Sequence, residues 1–534
     1  MPLFGSLYIG ASGLQTSQNT LNTTAHNMAN VDTVGYTRQQ ILLGTRSFNT
    51  LSINASAIAY QQYGLGVYYS QVRQVRDEFL DKTYRKETGR LGFYEMNTQV
   101  IKEVEDLFGE FQGVEFSEAI DDLWVAIQEL DKDPAKLTNE GLLVNRCEEF
   151  LKRAALVYQG LSDQQDNLNL LVERNINRIN ELGKELVALN KEVLKIEAGD
   201  IEHANDLRDR RNLILDELGE LGQISYYEDL HGVITVKFEG VDFVKSEAAN
   251  EILLHENKET GFYTPYWKQL AETKPGPDGE EVLDLEACRL YDPTQKISTE
   301  MSTDIGSLRA VLLARGEYRA TYQDLQNPDY YNTHISQSLL MNVQAEFDQL
   351  VYKVATAIND VIAQAAASEP DTDYMKDENG NPYQVFELIS QNPDKGYSIT
   401  NMIINDDLKR EPSRLSFRLK DGSEDKETTR RLVEAFSEEE HILNPNLKTK
   451  TNLAKYYANL VAQVANTGEA NREITEAQES TVNETFSARE MIVGVSSDEE
   501  MEFMIKFQNA FNASSRYVNV IDEMIEHILN TLGR

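Results

Sequence analysis

The 534-residue sequence predicts a mainly α-helical protein with a discontinuous terminal coiled coil, a long-helix body and a small β-rich insertion. Three observations carry that prediction. From Asp498 to Leu532, alternating steps of three and four pick out Met504, Phe507, Phe511, Ser514, Val518, Ile521, Ile525, Ile528 and Leu532. That series is a coiled-coil seam broken only by Ser514, rather than the broad core face of an ordinary helix. At the other end, Phe4, Leu7, Ala11, Leu14, Gln18, Leu21, Ala25 and Met28 repeat the spacing, with Gln18 the polar member. Between them, Leu168, Val172, Asn175, Ile179, Leu182, Leu186, Leu189, Val193 and Ile196 mark a long helix, and β-type residues gather after residue 223.

The C-terminal helix spans roughly 50 Å at about 1.5 Å per residue. An apolar seam of that length calls for a partner helix, and the N-terminal stripe offers one. The competing reading has each stripe packing separately on the body. Ser497 and Glu500 fit an S-x-x-E capping box, and Gly533 stands where the helix should stop. The N-terminal helix is weak alone, because Gly5, Gly10 and Gly13 each cost about 1 kcal/mol against Ala. It is expected to be disordered until a partner is present.

The remaining elements follow in order. Residues 1–45 form the N-terminal half of the terminal domain, and 46–222 the first part of the long-helix body, with extended chain at 66–73 and a helix opening at Asp77. The run Asp206–Arg211 reads as a solvated helix face with internal charge pairs. Residues 223–300 are the β-rich insertion, carrying Ile224, Tyr226, Val233, Ile234, Val236, Phe238, Val241 and Phe243 among glycines. Residues 301–490 continue the helical body around a turn-containing stretch at 371–450, and 491–534 complete the terminal domain. The Asp377–Pro382 turn fails as a calcium loop, since counting Gly380 as the sixth position puts Met375 first and Phe386 twelfth.

Composition narrows the function. The net charge of −37 argues against nucleic acid and against anionic lipid. Cys147 and Cys288 are the two cysteines, so at most one disulfide can form, and the sequence leaves its formation open. No apolar run is long enough to span a membrane, and no membrane insertion is expected. The first basic residue is Arg38, so a cleaved Sec-type signal is not expected. GxxxxGK[ST], GxSxG and HExxH are absent, and the histidines at 26, 203, 231, 255, 334, 441 and 527 are dispersed. The expectation is no catalysis, no metal and no cofactor.

After the first helix the sequence reads His26-Asn27-Met28-Ala29-Asn30-Val31-Asp32-Thr33-Val34-Gly35-Tyr36-Thr37-Arg38. This resembles the N-terminal signature of the bacterial flagellar rod, hook and hook-associated proteins, with Asn27, Ala29, Asn30, Thr33, Gly35, Tyr36 and Arg38 matching. His26, Met28 and Val34 depart from that family's commonest choices. Gly494–Met501, with Phe507, Gln508 and Ala513, resembles the hook-associated C-terminal signature, although Ser497 replaces the usual Leu. The long helices after residue 91, the Asp206–Arg211 run, the β-rich insertion and the Asp377–Phe386 turn are similar to the hook-associated protein 1 family of hook–filament junction proteins.

That resemblance implies a structural, self-assembling adaptor joining hook to filament, built on paired terminal helices. It implies export through the flagellar type III system, a short cytoplasmic stage, and a final place in the extracellular flagellum. The implied partners are copies of the chain itself, the hook protein, a second junction protein on the filament side, and a cytoplasmic export chaperone at the C-terminal helix. A hook or distal rod protein is the alternative within the family. A secreted enzyme on a flagellar scaffold is the alternative outside it.

Overall fold

The structure, a computed structural model, describes residues 3–53, 60–108, 116–199, 202–275, 281–368, 374–377, 380–390, 396–419 and 421–532. Its helices are α1 (Leu3–Ala29), α2 (Glu78–Phe108), α3 (Phe116–Lys132), α4 (Leu137–Glu197), α5 (Asn205–Leu221), α6 (Leu285–Cys288), α7 (Ser307–Arg315), α8 (Pro328–Tyr330), α9 (Leu339–Ser368), α10 (Asp406–Arg410), α11 (Lys426–Ser437), α12 (Leu453–Val493) and α13 (Ser497–Leu532). The chain divides into two compact units. Unit 1 comprises Met1–Gly89, Ile179–Glu251 and Gln478–Arg534, and unit 2 comprises Arg90–Arg178 and Ile252–Ala477.

In unit 1, β1 (Gln39–Thr45) pairs antiparallel with β4 (Val67–Gln74), with a bulge at Leu42/Leu43. β2 (Asn49–Ile53) pairs with β3 (Tyr60–Tyr63). A three-stranded antiparallel sheet follows α5, in the order β5 (Ile224–Glu228), β6 (Ile234–Phe238), β7 (Val241–Val244). The alternation of Ile234, Val236 and Phe238 turns one face of β6 inward. Leu182, Leu186 and Val193 of α4, Leu215 and Leu218 of α5, and Phe238 and Phe243 of the sheet are fully buried. Gly183 permits the close approach, because a Cβ there would stand 2.5 Å from Phe243 Cζ. Ile196, at the end of the predicted stripe, is exposed.

In unit 2, β8 (Ile252–Glu256) pairs with β9 (Tyr263–Trp267), β10 (Thr273–Pro275) with β11 (Glu281–Leu283), and β12 (Phe386–Leu388) with β13 (Met402–Ile404). The β-rich stretch is thus shared between the units. The centre of unit 2 is α9, apolar on nearly every side and buried along most of its length. Phe347 of α9 meets Phe116 edge-on at 4.9 Å between ring centroids, and Phe116 in turn meets Phe150 and Tyr457. α9 also buries polar groups, and each has partners. Glu346 accepts hydrogen bonds from Asn342, Asn444 and Gln463. Asp348 accepts from the backbone N–H of Tyr322 (2.9 Å) and of Ile399 (2.7 Å). Burial pushes the Asp348 carboxyl up to about 7.

The charge-rich stretch near 405–450 hides a helix. In α11, Asp425 accepts from the Thr428 N–H at the N-terminus, and Leu432 and Phe436 are buried, with Phe436 stacked on Trp124 of α3. In the Asp377 turn, the Asn381 N–H donates to Asp377 Oδ1, and residues 378–379 lie outside the described residues. Cys147 and Cys288 are both buried free thiols. No described helix is long and apolar enough to cross a membrane.

Candidate assembly surface

In unit 1, α1 packs along α13. On α13 the face turned inward is the predicted one: Met504, Phe507, Phe511, Ser514, Val518 and Ile525 are half-buried and Ile521 is buried. Ile528 is exposed, and the Leu532 side chain lies outside the described residues, as does Gly533.

On α1 the structure corrects the expectation. Phe4, Ala11, Gln18 and Ala25 are exposed, and Leu7, Leu14, Leu21 and Met28 are only half-buried. The inward series is Ser6, Gly10, Gly13, Ser17, Thr20, Thr24 and Asn27, one residue earlier at each step. Close backbone approach explains the choice. A Cβ on Gly10 would stand 2.7 Å from Val518 Cγ2, and one on Gly13 would stand 2.8 Å from Ser514 Oγ. Burying hydroxyls is tolerable here because they bond back to their own helix. Thr16 donates to the Ser12 carbonyl and Thr20 to the Thr16 carbonyl, both at 2.7 Å. The signal was present in the sequence as the same heptad spacing carried by small residues.

The large apolar side chains are therefore left outside. Phe4 and Tyr8 on α1, and Ile505, Tyr517, Val520, Met524 and Leu529 on α13, are exposed, Phe4 and Leu529 each by 67%.

The segment after α1 is a hydrogen-bonded clamp. Asn27 is 1% exposed and sits at its centre. Its Nδ2 donates to the Gln39 carbonyl (2.9 Å), and its Oδ1 accepts from the Gln39 N–H (3.0 Å) and the Tyr36 hydroxyl (2.7 Å). Asn30 closes the helix end by donating to the His26 carbonyl, and it accepts from the Thr33 hydroxyl. Gly35 has φ +78°, and a Cβ there would meet Leu213 at 2.6 Å. Ala29 is exposed. Arg38 joins the clamp to α13. Its Nη1 lies 2.9 Å from Glu499, its Nε lies 2.9 Å from the buried Glu500, and its N–H donates to the Val493 carbonyl. Its guanidinium also lies over the Phe503 ring.

Glu500 is thus committed to Arg38 and closes no capping box. The cap is Ser496 rather than Ser497, with its hydroxyl accepting from the Glu499 N–H.

The run from Asp206 to Arg211 is not a solvated face. Arg211 is buried and donates to the Gly232 carbonyl and to Glu228. Arg208 is bidentate to Glu197, at 2.8 Å on both arms. Asp209 is buried and accepts from the Thr37 N–H and from Gln74 Nε2, and burial pushes its carboxyl up to about 6. Nearby, Asp81 is bidentate to Arg76 and also contacts Arg489, whose other arm reaches Asp216, the partner of Arg85. Three separate stretches of sequence meet in this network. Among the described residues no cluster of three or more His, Cys, Asp or Glu side chains is arranged to hold a metal ion.

This architecture has known counterparts. Residues 101–373 match the family model for the flagellar hook-associated protein FlgK helical domain. Residues 7–37 match that for the flagella basal body rod protein, and 492–531 that for the flagellar basal body rod FlgEFG protein C-terminal region. The chain is 25% identical over 535 residues to flagellar hook-associated protein 1 of Bacillus subtilis, covering 99% of this chain and 98% of the relative. It is 24% identical over 211 residues to the protein of that name in Salmonella typhimurium, covering 39% and 37%. In fold it is similar to the solved flagellar hook junction protein FlgK from Burkholderia pseudomallei, with TM-score 0.55, 11% identity, 78% of this chain and 100% of that one covered.

Proposed function

The chain belongs to the flagellar hook-associated protein FlgK family, a structural component of the extracellular flagellum, and on that premise we propose that it is the adaptor joining hook to filament. One observation carries this reading. Within the α1–α13 pair, α1 turns small residues inward, and both helices leave large apolar side chains facing solvent. An exposed apolar surface of this kind marks an interaction site. Identical neighbours supply a matching surface by symmetry, so copies stack side by side through these helices. Phe4, Leu7, Ala11, Leu14, Leu21 and Met28 then act as an intermolecular seam on α1. The α13 stripe, from Met504 to Ile525, holds α1 within the chain, and its outer neighbours, with Ile528 and Leu532 of the same predicted series, meet the next copy.

The hook protein borders one end of this assembly and a second junction protein the other. Export runs through the flagellar type III system after a cytoplasmic stage, in which a chaperone covers the apolar side of α13. The signature residues Asn27, Ala29, Asn30, Thr33, Gly35, Tyr36 and Arg38 hold the terminal pair in the shape that assembles.

The test is the paired change Val520→Asp and Met524→Asp, on the exposed side of α13. A carboxylate in the intermolecular seam must be desolvated or must hold the helices apart, at a cost of several kcal/mol. Thermal unfolding of the purified variant should match that of the parent, while cells making it should carry hooks without filaments. Normal filaments on those cells would sink the reading.

A further inference from the structure

We propose that a recess in unit 2 walled by Arg289, Arg309 and Arg315 seats one small oxyanion, either a carboxylate or inorganic phosphate or sulfate. A buried guanidinium is normally matched by a carboxylate, because an uncompensated buried charge is costly. Arg85 in unit 1, 2% exposed, follows that rule, with its Nε 2.6 Å from Asp216. Arg309 and Arg315 depart from it. They are 6% and 3% exposed, and among the described residues neither has an ion-pair partner.

Their direct partners are aromatic and neutral, and the carboxylates that act on them, Asp292 on Arg309 and Glu317 on Arg315, do so from the rim. Arg309 lies 4.9 Å from the Tyr291 ring centroid and donates to Gln295 Oε1 (2.6 Å). Arg315 lies 4.9 Å from the Phe262 ring centroid and donates to Asn169 Oδ1, the Tyr263 carbonyl and the Gly316 carbonyl. Burial pulls the Arg315 pKa down to about 10, the direction expected of a cation short of counter-charge. The carbonyls at the end of α7 account for Arg315 in part, but they do nothing for its neighbours. Arg289 meets Glu317 at 3.4 Å and feels the Asp292 carboxylate without a direct contact, and its buried Nε–H has no acceptor among the described residues.

The two carboxylates at the rim, Asp292 and Glu317, are exposed, and Asp292 is occupied with the Thr294 N–H and hydroxyl. The recess measures about 50 Å³ and is completed by Leu312, Leu313 and Ile297. That volume holds a few waters or one small ion, which excludes a nucleotide or a cofactor. Apolar walls lower the local dielectric and strengthen attraction to an anion. In a chain of net charge −37, an inward-facing cationic recess runs against the overall field.

The test uses the full-length protein. Isothermal titration and thermal unfolding are run with sodium phosphate, sulfate and acetate at constant ionic strength, with chloride as the reference. The expected result is saturable, one-site binding by at least one of the three. Acetate alone identifies a carboxylate seat, and phosphate or sulfate alone an inorganic one. Binding by both classes identifies an oxyanion seat that does not discriminate. Arg289→Gln removes a partly exposed side chain and should fold, and it should weaken binding by at least about tenfold, as expected for loss of a charge-assisted donor. Arg309→Lys keeps the charge, loses the planar fork, and should weaken binding less. Three anions that titrate like chloride, or an Arg289→Gln affinity equal to the parent's, would overturn the proposal.

Discussion

The terminal pair and α9 bury helices by opposite means. α9 surrounds itself with Leu, Val, Ile and Phe and gives each inward polar group, such as Glu346 and Asp348, its own donors. α1 turns Gly, Ser and Thr inward and leaves Phe4 and Tyr8 in water. Fully burying one large apolar side chain contributes about 1.5–3 kcal/mol, so α9 gathers its stability within its own unit. The terminal pair keeps much of that potential unused. The difference teaches that apolar periodicity identifies a helix with a partner but not which partner, because the widest apolar stripe can face another molecule.

The comparison can be broken most severely in unit 2. Phe347→Ala should cost about 3–5 kcal/mol, since the ring is fully buried among other aromatic rings. Calorimetry should show a lower unfolding midpoint, and hydrogen exchange in α1 should be unchanged. Faster exchange throughout α1 would show that the two regions are not built independently. Gly10→Leu tests the other side. Its side chain must displace Val518 and Tyr517, at about 1–3 kcal/mol, with loss of exchange protection confined to α1 and α13. An unchanged exchange pattern would mean that the small-residue face does not set the approach.

Asn27→Ala is smaller, at about 1–2 kcal/mol, because it deprives the Gln39 backbone and the Tyr36 hydroxyl of their partner. Amide exchange over residues 30–40 should accelerate while α9 stays protected.

The finest test uses pH. The folded Asp348 carboxyl titrates near 7, above its ordinary value of 3.8. Its contribution is therefore fully present below the ordinary value and is lost as pH rises through the folded one. Unit 2 should lose stability from about pH 4 to about pH 7, and Asp348→Asn should flatten that slope. An equal slope in parent and variant would remove Asp348 as the cause.

Much of this was legible in the residues. The long helices, the α13 seam and the signature segment after α1 stand out because their spacing is regular and their turn chemistry is local. The facing side of α1 does not show in its apolar pattern, because glycine and hydroxyl residues weaken an isolated helix, whereas here they permit contact. Asp209 and Arg211 look solvated along one helix, and only the fold brings Thr37, Gln74 and Glu228 against them. α11 was hidden because its buried residues, Leu432 and Phe436, are few among charges. The Arg289 recess has no local signature, since its arginines are spread over residues 289–315 and meet only in space.

A smooth inner face on α1 also has a mechanical consequence. Ser6, Gly10, Gly13, Ser17, Thr20 and Thr24 are all small, so when α1 is moved along α13 by seven residues, roughly 10 Å at about 1.5 Å per residue, the main steric obstacle lies where Ser17 and Thr20 would replace Gly10 and Gly13 against Val518 and Ser514. Shape indexes the two helices chiefly through those two glycine contacts. Asn27 locked to Gln39, and Arg38 locked to Glu499 and Glu500, add directional polar contacts that favour one alignment over the next. They act as a detent on the track, and without it the pair would hold together with its zero point set by the glycines alone.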